Sequence, residues 1–334
     1  MSTGIGWLSR LKPKGDRRVS FLLWGVALFG ALALPFVINN EYLLRVCIIA
    51  ILYSILAVSL NIVVGFTGMF SLGHAGFYAV GAYVAALLAL RLHTPYLLSL
   101  LCSMLAAGLV GFILSIPSFR LGGDYLAVVT LGFSEIIRLI ATNWMELTRG
   151  PLGLPGIPPI VIFSLRVDSY RTQYYFILVL AVLAFTVVIR VINSQIGRCL
   201  KSVREDELAA AAMGVNVRYY KSLAFVISAI LTGACGSFLA HFLTIVSPMN
   251  FRIQESILLL EMVILGGMGS IPGSILGAVL LVAIPEYLQI VPHLRMLFGG
   301  LTMLLMIRFR PQGLLGGREI SLRGRPKLVR TTRT

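Results

Sequence analysis

Residues 46–90 read VCIIAILYSILAVSLNIVVGFTGMFSLGHAGFYAVGAYVAALLAL, without one Asp, Glu, Lys or Arg. A membrane-crossing helix needs about 20 apolar residues, so this run alone supplies two crossings. The rest of the chain agrees, with 58% of its 334 residues hydrophobic and 12% charged. Soluble domains carry about 25% charged residues. Hydrophobic segments fall near 21–38, 44–64, 70–90, 96–116, 125–143, 173–192, 222–243, 256–268, 273–290 and 295–309. The expected fold is therefore all-α, a polytopic transmembrane helical bundle of about ten spans. Its transmembrane domain covers 21–309, between a basic N-terminus (1–20) and a basic tail (310–334). The first segment also has signal-peptide traits, FLLWGVALFGALA with an A-L-A site at 31–33. A second apolar run follows almost at once, so retention as a span is expected.

The net charge of +15 raises the question of nucleic acid. Its distribution answers against that partner, because the basic residues gather in the N-terminus, the 190–221 connector and the tail. An even number of crossings puts both termini on one side. With the N-terminus inside, 20 of the 28 Lys and Arg residues fall in inner segments: five in 10–18, Arg120, six in 190–221 and eight in 308–333. Seven fall in outer loops, namely Arg45, Arg91, Arg149, Arg166, Arg171, Arg252 and Arg295. Basic loops are retained in the cytoplasm, so both termini are expected there. Cys47, Cys102, Cys199 and Cys235 lack any metal-ligand spacing and read as packing residues.

Two Gly-rich stretches punctuate the bundle. In GGMGSIPGS (266–274), Gly269, Gly273 and the later Gly277 stand four apart, with Pro272 between them. In GFTGMFSLGHAGFYAVGAY (65–83), Ser71, Ala75 and Ala79 share that spacing. Small residues four apart let helices approach closely. Gly-interrupted helices are tolerated at membrane depth only where protein or a water-filled path surrounds them. Tight packing and path lining both fit, and the candidate path residues here are Gly68, Ser71, His74, Gly269 and Gly273.

The densest acidic cluster lies in the inner connector 193–221, as SVREDELAAAAMGVNVRYYK (202–221). Ser202 and Glu205 have capping-box spacing, and Glu205, Asp206 and Glu207 then fall where the helix dipole favours acids. Leu208 to Met213 favour helix, and Gly214 can close it. The expectation is one three-turn helix over about 203–213, too short to be stable alone in water. Its alanine face suits a shallow cleft on a partner; a connector lying along the bilayer with solvated acids is the alternative.

The block GRCLKSVREDELAAAAMGVNVRYYKSLAF (197–225) resembles the cytoplasmic loop of permeases in branched-chain amino acid ABC importers. The resemblance extends through HFLTIVSPMNFRIQESILLLEMVILGGMGSIPGSILGA to RFRPQGLLG, and upstream through SLNIVVGFTGMFSLGHAGFYAVGAY and DYLAVVTLGFSEIIRLI. It covers roughly 45–317, and VTLGFSEIIR makes the LivM-like half of the permease pair the nearer match. It implies an ABC importer permease in a bacterial inner membrane, with a short helix docked into an ATPase. On this chain that helix would use Ser202, Arg204, Glu205, Asp206, Glu207, Leu208, Ala212 and Gly214. The implied partners are a second homologous permease, two cytoplasmic ATP-binding subunits and a periplasmic binding protein, besides membrane lipid. No cofactor is expected on this chain, ATP and Mg belonging to the ATPases. The outer loop 144–172 departs from the family's TGGPNGI-like sequence: it reads TRGPLGLPGI, with Arg149 and Leu152 for a glycine and an asparagine. Ligand preference differing from leucine, isoleucine and valine would follow if that loop touches the solute or the binding protein.

Charges inside spans are few. Glu135 and Arg138 stand three apart in FSEIIRLI and can offset each other on one helix face. They read either as a polar feature of the path or as an ion pair buried between helices. Glu261 lacks a local partner and is expected to face the bundle interior. No G-x-x-x-x-G-K-[ST] phosphate loop occurs, so ATP hydrolysis by this chain is excluded and it reads as a transport subunit rather than an enzyme. A gradient-driven carrier would have only Glu135, Glu261 and His74 to work with, and urea, amides or other amino acids are the alternative solutes.

Overall fold

The computed structural model describes residues 30–36, 40–119, 121, 123–162, 165–288, 300, 301, 304, 308 and 313–315. Helix α1 (Glu41–Asn61) starts where the Asn40 side chain accepts from Tyr42 N–H at 2.9 Å. It runs on into a π-turn over Ile62–Phe66. Next come α2 (His74–Arg91), α3 (Tyr96–Ser115), α4 (Gly123–Asn143), the short α5 (Met145–Thr148) and α6 (Tyr170–Asn193). The connector holds α7 (Gln195–Glu205) and α8 (Glu207–Ala212), followed by α9 (Val217–Leu243), α10 (Ile253–Gly266) and α11 (Ile271–Leu288).

Among the described residues six helices are long and apolar enough to cross a membrane: α1 with its π-turn, α2, α3, α4, α6 and α9. They match six of the ten expected segments, and α10 and α11 match two more. At 14 residues, α10 is about 21 Å long, short of a hydrocarbon core of about 30 Å. The expected first segment overlaps a helical stretch over 30–36, and most of the last lies outside the described residues. The basic N-terminus, the tail beyond 315 and Arg120 lie outside the described residues.

The bundle is helical throughout, but the loops are not wholly irregular. Strand β1 (Leu154–Pro155) pairs antiparallel with β4 (Ile245–Val246), and β2 (Ile160–Ile162) with β3 (Leu165–Val167). The 144–172 loop is thereby tied to the end of α9.

Burial divides the spans. The most apolar windows of α1 and α9 are 72% buried by this chain alone, against 22% for α4. Small residues explain the tight centre. A Cβ on Gly81 of α2 would lie 2.5 Å from Gly233 O of α9, and one on Gly233 would lie 2.6 Å from Ala107 Cβ of α3. Three backbones therefore meet at a point only glycine permits. The α10–α11 hairpin closes in the same way, with Gly273 against Gly266 O and Gly277 against Met262 O. The other expected small-residue face is shorter than its spacing implies: α2 begins at His74, so Ser71 precedes the helix and only Ala75 and Ala79 belong to it. Pro272 sits at the second position of α11, where a missing N–H costs little.

Candidate functional site

One end of the bundle gathers the connector and both Gly-rich turns. Ser194 Oγ accepts from Ile196 N–H and starts α7, which buries Gly197, Leu200 and Val203 against the bundle. The single helix expected over 203–213 is in fact two. Ser202 caps nothing; its Oγ donates to Cys199 O at 2.8 Å inside α7. The chain extends at Asp206 (φ −159°, ψ 115°), whose carboxylate accepts from Leu208 N–H at 2.8 Å and Ala209 N–H at 3.0 Å. Asp206 is therefore the N-cap, and Glu205 is the last residue of α7. Aspartate outcompetes the Ser–Glu box because its short side chain reaches two amides from an extended residue. The C-terminus follows expectation: Gly214 adopts φ +84°, and Val215 N–H closes onto Ala210 O.

Helix α8 lies loosely on the protein. Ala210 is its one buried residue, whereas Leu208 and Met213 are each 84% exposed, and Ala212 is exposed too. Its tether is Glu207, paired at 2.6 Å with the Lys221 ammonium, which is 3% exposed. Lys221 Nζ also donates to Ser118 O at 3.4 Å. Sequence reading missed Lys221, which looked like one of several connector cations.

Arg204 is exposed over much of its length, but its head group touches the bundle. Its guanidinium donates to Gly65 O at 2.5 Å, in the π-turn. Gly68 (φ +76°) packs under its Cγ, and Gly269 (φ +82°) packs against its NH1. One turn back, Lys201 lies over the Phe66 ring. Asn61 joins the two turns, its Oδ1 accepting from Gly269 N–H at 2.8 Å and its Nδ2 donating to Ser270 O at 3.1 Å. The only signal for Asn61 was an amide in a charge-free run.

The second cluster surrounds the start of α2. Residues between the π-turn and His74 are irregular, so their amides need outside partners. Leu72 N–H donates to Thr130 Oγ1, Ala75 N–H to Ser256 Oγ and Gly76 N–H to Ser134 Oγ, at 2.9, 3.1 and 3.0 Å. Hydroxyls from α4 and α10 thus serve as the caps. Ser71 contributes its Oγ to Gly73 N–H. His74 is fully buried, with Nε2 2.6 Å from Ser228 Oγ. Since that hydroxyl donates to Ser59 O at 2.7 Å, Nε2 carries the proton and donates. Ser228 lies roughly 16 Å along α9 from its start, so α2 begins deep in the bundle. No sequence signal linked Thr130, Ser134, Ser228 and Ser256.

Glu135 and Arg138 pair within α4: Nε donates to both carboxylate oxygens at 2.9 and 3.0 Å, and NH2 donates to Oε1. Their side chains are 28% and 21% exposed on the least buried span. The pair is therefore not sealed between helices of this chain. Glu261 is half-buried on α10, and Gly273 packs inside the hairpin. A polar contact absent from the sequence reading joins Tyr53 of α1 to Glu255 of α10, O–H to carboxylate at 2.6 Å. At the opposite end Arg149, where the resembled family has glycine, takes the left-handed conformation (φ 57°, ψ 17°), and Leu152 is exposed.

These features define a multi-pass helical membrane protein with discontinuous helices and a small helix displayed at one end. Residues 42–307 match the family described as "Branched-chain amino acid transport system / permease component". The chain belongs to this family and is a permease subunit of the ABC importer type. It is 37% identical over 308 residues to the high-affinity branched-chain amino acid transport system permease protein LivM of Escherichia coli K12, covering 85% of this chain and 72% of that protein. It is also 26% identical over 294 residues to LivH of Salmonella typhimurium, covering 80% and 92%. A probable LivM of Methanocaldococcus jannaschii is 25% identical over 319 residues, again covering 80% and 92%. Similarity to both LivM and LivH implies a two-permease system. No solved structure matches the chain.

Proposed function

We propose that the chain is one permease half of an ATP-driven importer of branched-chain amino acids in a bacterial inner membrane, with α8 as the docking helix for a cytoplasmic ATPase. The observation that carries this reading is the exposure of Leu208, and of Met213 at the C-cap, on a six-residue helix its own fold barely supports. An isolated helix needs about 12–15 residues to be even marginal in water, and exposed apolar side chains fit a binding cleft. ATP and Mg are held by the ATPases, two per importer, and this chain holds no cofactor. A periplasmic binding protein delivers the solute to the 144–172 side.

The solute path runs along α4, against the second permease. A charge at a span centre costs roughly 2.5–3.5 kcal/mol on insertion scales, which disfavours lipid opposite the partly exposed Glu135–Arg138 pair. The decisive experiment is a tagged pull-down from gently solubilised native membranes, with wild type and Leu208→Asp compared by mass spectrometry. A P-loop ATPase and a second polytopic subunit should co-purify with wild type, and the ATPase should be lost from the variant. Recovery of this chain alone, in a detergent that preserves other ABC complexes, overturns the reading, as does labelled leucine uptake that persists after ATP depletion.

A further inference from the structure

Helix α8 is joined to α7 at Asp206, and two positions earlier Arg204, exposed over much of its side chain, lays its guanidinium against the bundle end. Three glycines from two turns converge on it. Its NH1 donates to Gly65 O at 2.5 Å. A Cβ on Gly68 would lie 3.0 Å from its Cγ, and one on Gly269 would lie 3.0 Å from NH1. The turns also touch each other, since a Cβ on Gly65 would come within 2.3 Å of Gly269 N. A side chain at Gly65 would collide with Asn61 and Gly269, and one at Gly68 or Gly269 would press on Arg204.

The groups it grips are breaks in the transmembrane framework. Gly65 belongs to the π-turn that ends α1, and such turns recur at functional sites. Gly269 belongs to the turn between α10 and α11, which Asn61 locks to α1. From these elements the chain of contacts reaches the start of α2, through the segment 67–73 and through Ser256 of α10. Arg204 thus links the approach to the displayed helix with the π-turn of α1 and the α10–α11 turn. A lysine could supply the charge but not a planar fork that lies along both turns.

We infer that Arg204 is the residue that transmits movement of α8 to the two glycine turns, a positioning residue for transport rather than part of the surface that docks the ATPase. The inference rests on the docking role proposed for α8. It is tested in the complete importer reconstituted in proteoliposomes, with both permeases, the ATPases and the binding protein. The readout is ATP hydrolysed per molecule of leucine taken up, for wild type, Arg204→Lys and Arg204→Ala, together with ATPase recovery in the purified complex. Recovery should stay at the wild-type level in both variants. The ATP-to-leucine ratio should rise about tenfold in Arg204→Ala, equivalent to about 1.4 kcal/mol, and by a smaller factor in Arg204→Lys. A wild-type ratio in Arg204→Ala overturns the inference. If Arg204→Ala does not assemble, the lysine variant decides alone, and a wild-type ratio there overturns it equally. Loss of ATPase recovery in step with uptake in the lysine variant also overturns it, by making Arg204 a docking residue. A wild-type complex without any ATPase would instead defeat the function proposed above.

Discussion

Replacing Asp206 by alanine tests what holds α8 in shape. The carboxylate accepts from Leu208 and Ala209 N–H at 2.8 and 3.0 Å, and losing such a cap costs about 1 kcal/mol. The remaining local supports are the Gly214 closure and the Glu207–Lys221 pair. Docking needs the formed helix, so apparent affinity falls with the fraction of α8 that is folded. A loss of about 1 kcal/mol corresponds to about fivefold weaker binding. The assay is titration of labelled ATPase subunit into the permease pair in lipid nanodiscs, read by fluorescence anisotropy. Asp206→Ala should bind about fivefold more weakly. Asp206→Asn should stay near wild type, because asparagine caps as well as aspartate, and this separates capping from a charge contact with the ATPase. Ser202→Ala should not change affinity, since Ser202 Oγ donates to Cys199 O within α7. Wild-type affinity for Asp206→Ala, or an equal loss from Ser202→Ala, refutes the reasoning.

Two further perturbations probe the tether and the core. In a double-mutant cycle of Glu207→Gln with Lys221→Met, followed by thermal unfolding in detergent, the coupling should be about 1 kcal/mol. A fully buried pair would give more, but Glu207 is about half exposed and water screens it. Gly233→Ala should destabilise the isolated subunit by about 1–3 kcal/mol, because the new methyl meets Ala107 Cβ at 2.6 Å and Ser103 O at 2.7 Å. Gly132→Ala, which meets nothing within 4 Å, should leave the melting temperature unchanged or raise it.

The spans were legible because apolar length alone specifies a membrane helix, and eight of the ten expected segments coincide with described helices. Ends were read less well. The S-x-x-E spacing at Ser202–Glu205 is a local rule that took no account of α7 arriving from Gln195 as a continuous helix, which makes Ser202 an interior residue. The start of α2 was placed a turn early because GMFSLG is apolar enough to join a span, although Gly68 takes φ +76° and Leu72 N–H bonds to Thr130. The direction of Arg204 was illegible for a different reason. It depends on Gly65 and Gly269, 139 and 65 positions away, and only the packed bundle brings them together.

The two kinds of contact in this bundle differ in how readily they can change. Where α2, α3 and α9 cross at Gly81, Ala107 and Gly233, backbone lies on backbone, and close-packed contacts transmit strain rather than absorb it. Around His74 the neighbours are joined by single hydroxyl bonds from Thr130, Ser134, Ser256 and Ser228. Interhelical hydrogen bonds in membranes average about 0.6 kcal/mol, so exchanging several of them for others costs far less than reopening a glycine contact. Displacement entering through Arg204 would therefore be taken up at the start of α2 and along α4 and α10, while the α2–α3–α9 contact stays fixed. Glu135 and Arg138 ride on α4 one and four residues after Ser134, one of its capping hydroxyls. A shift at the helix break would carry that charged face with it, which puts the moving element and the proposed path on the same helix.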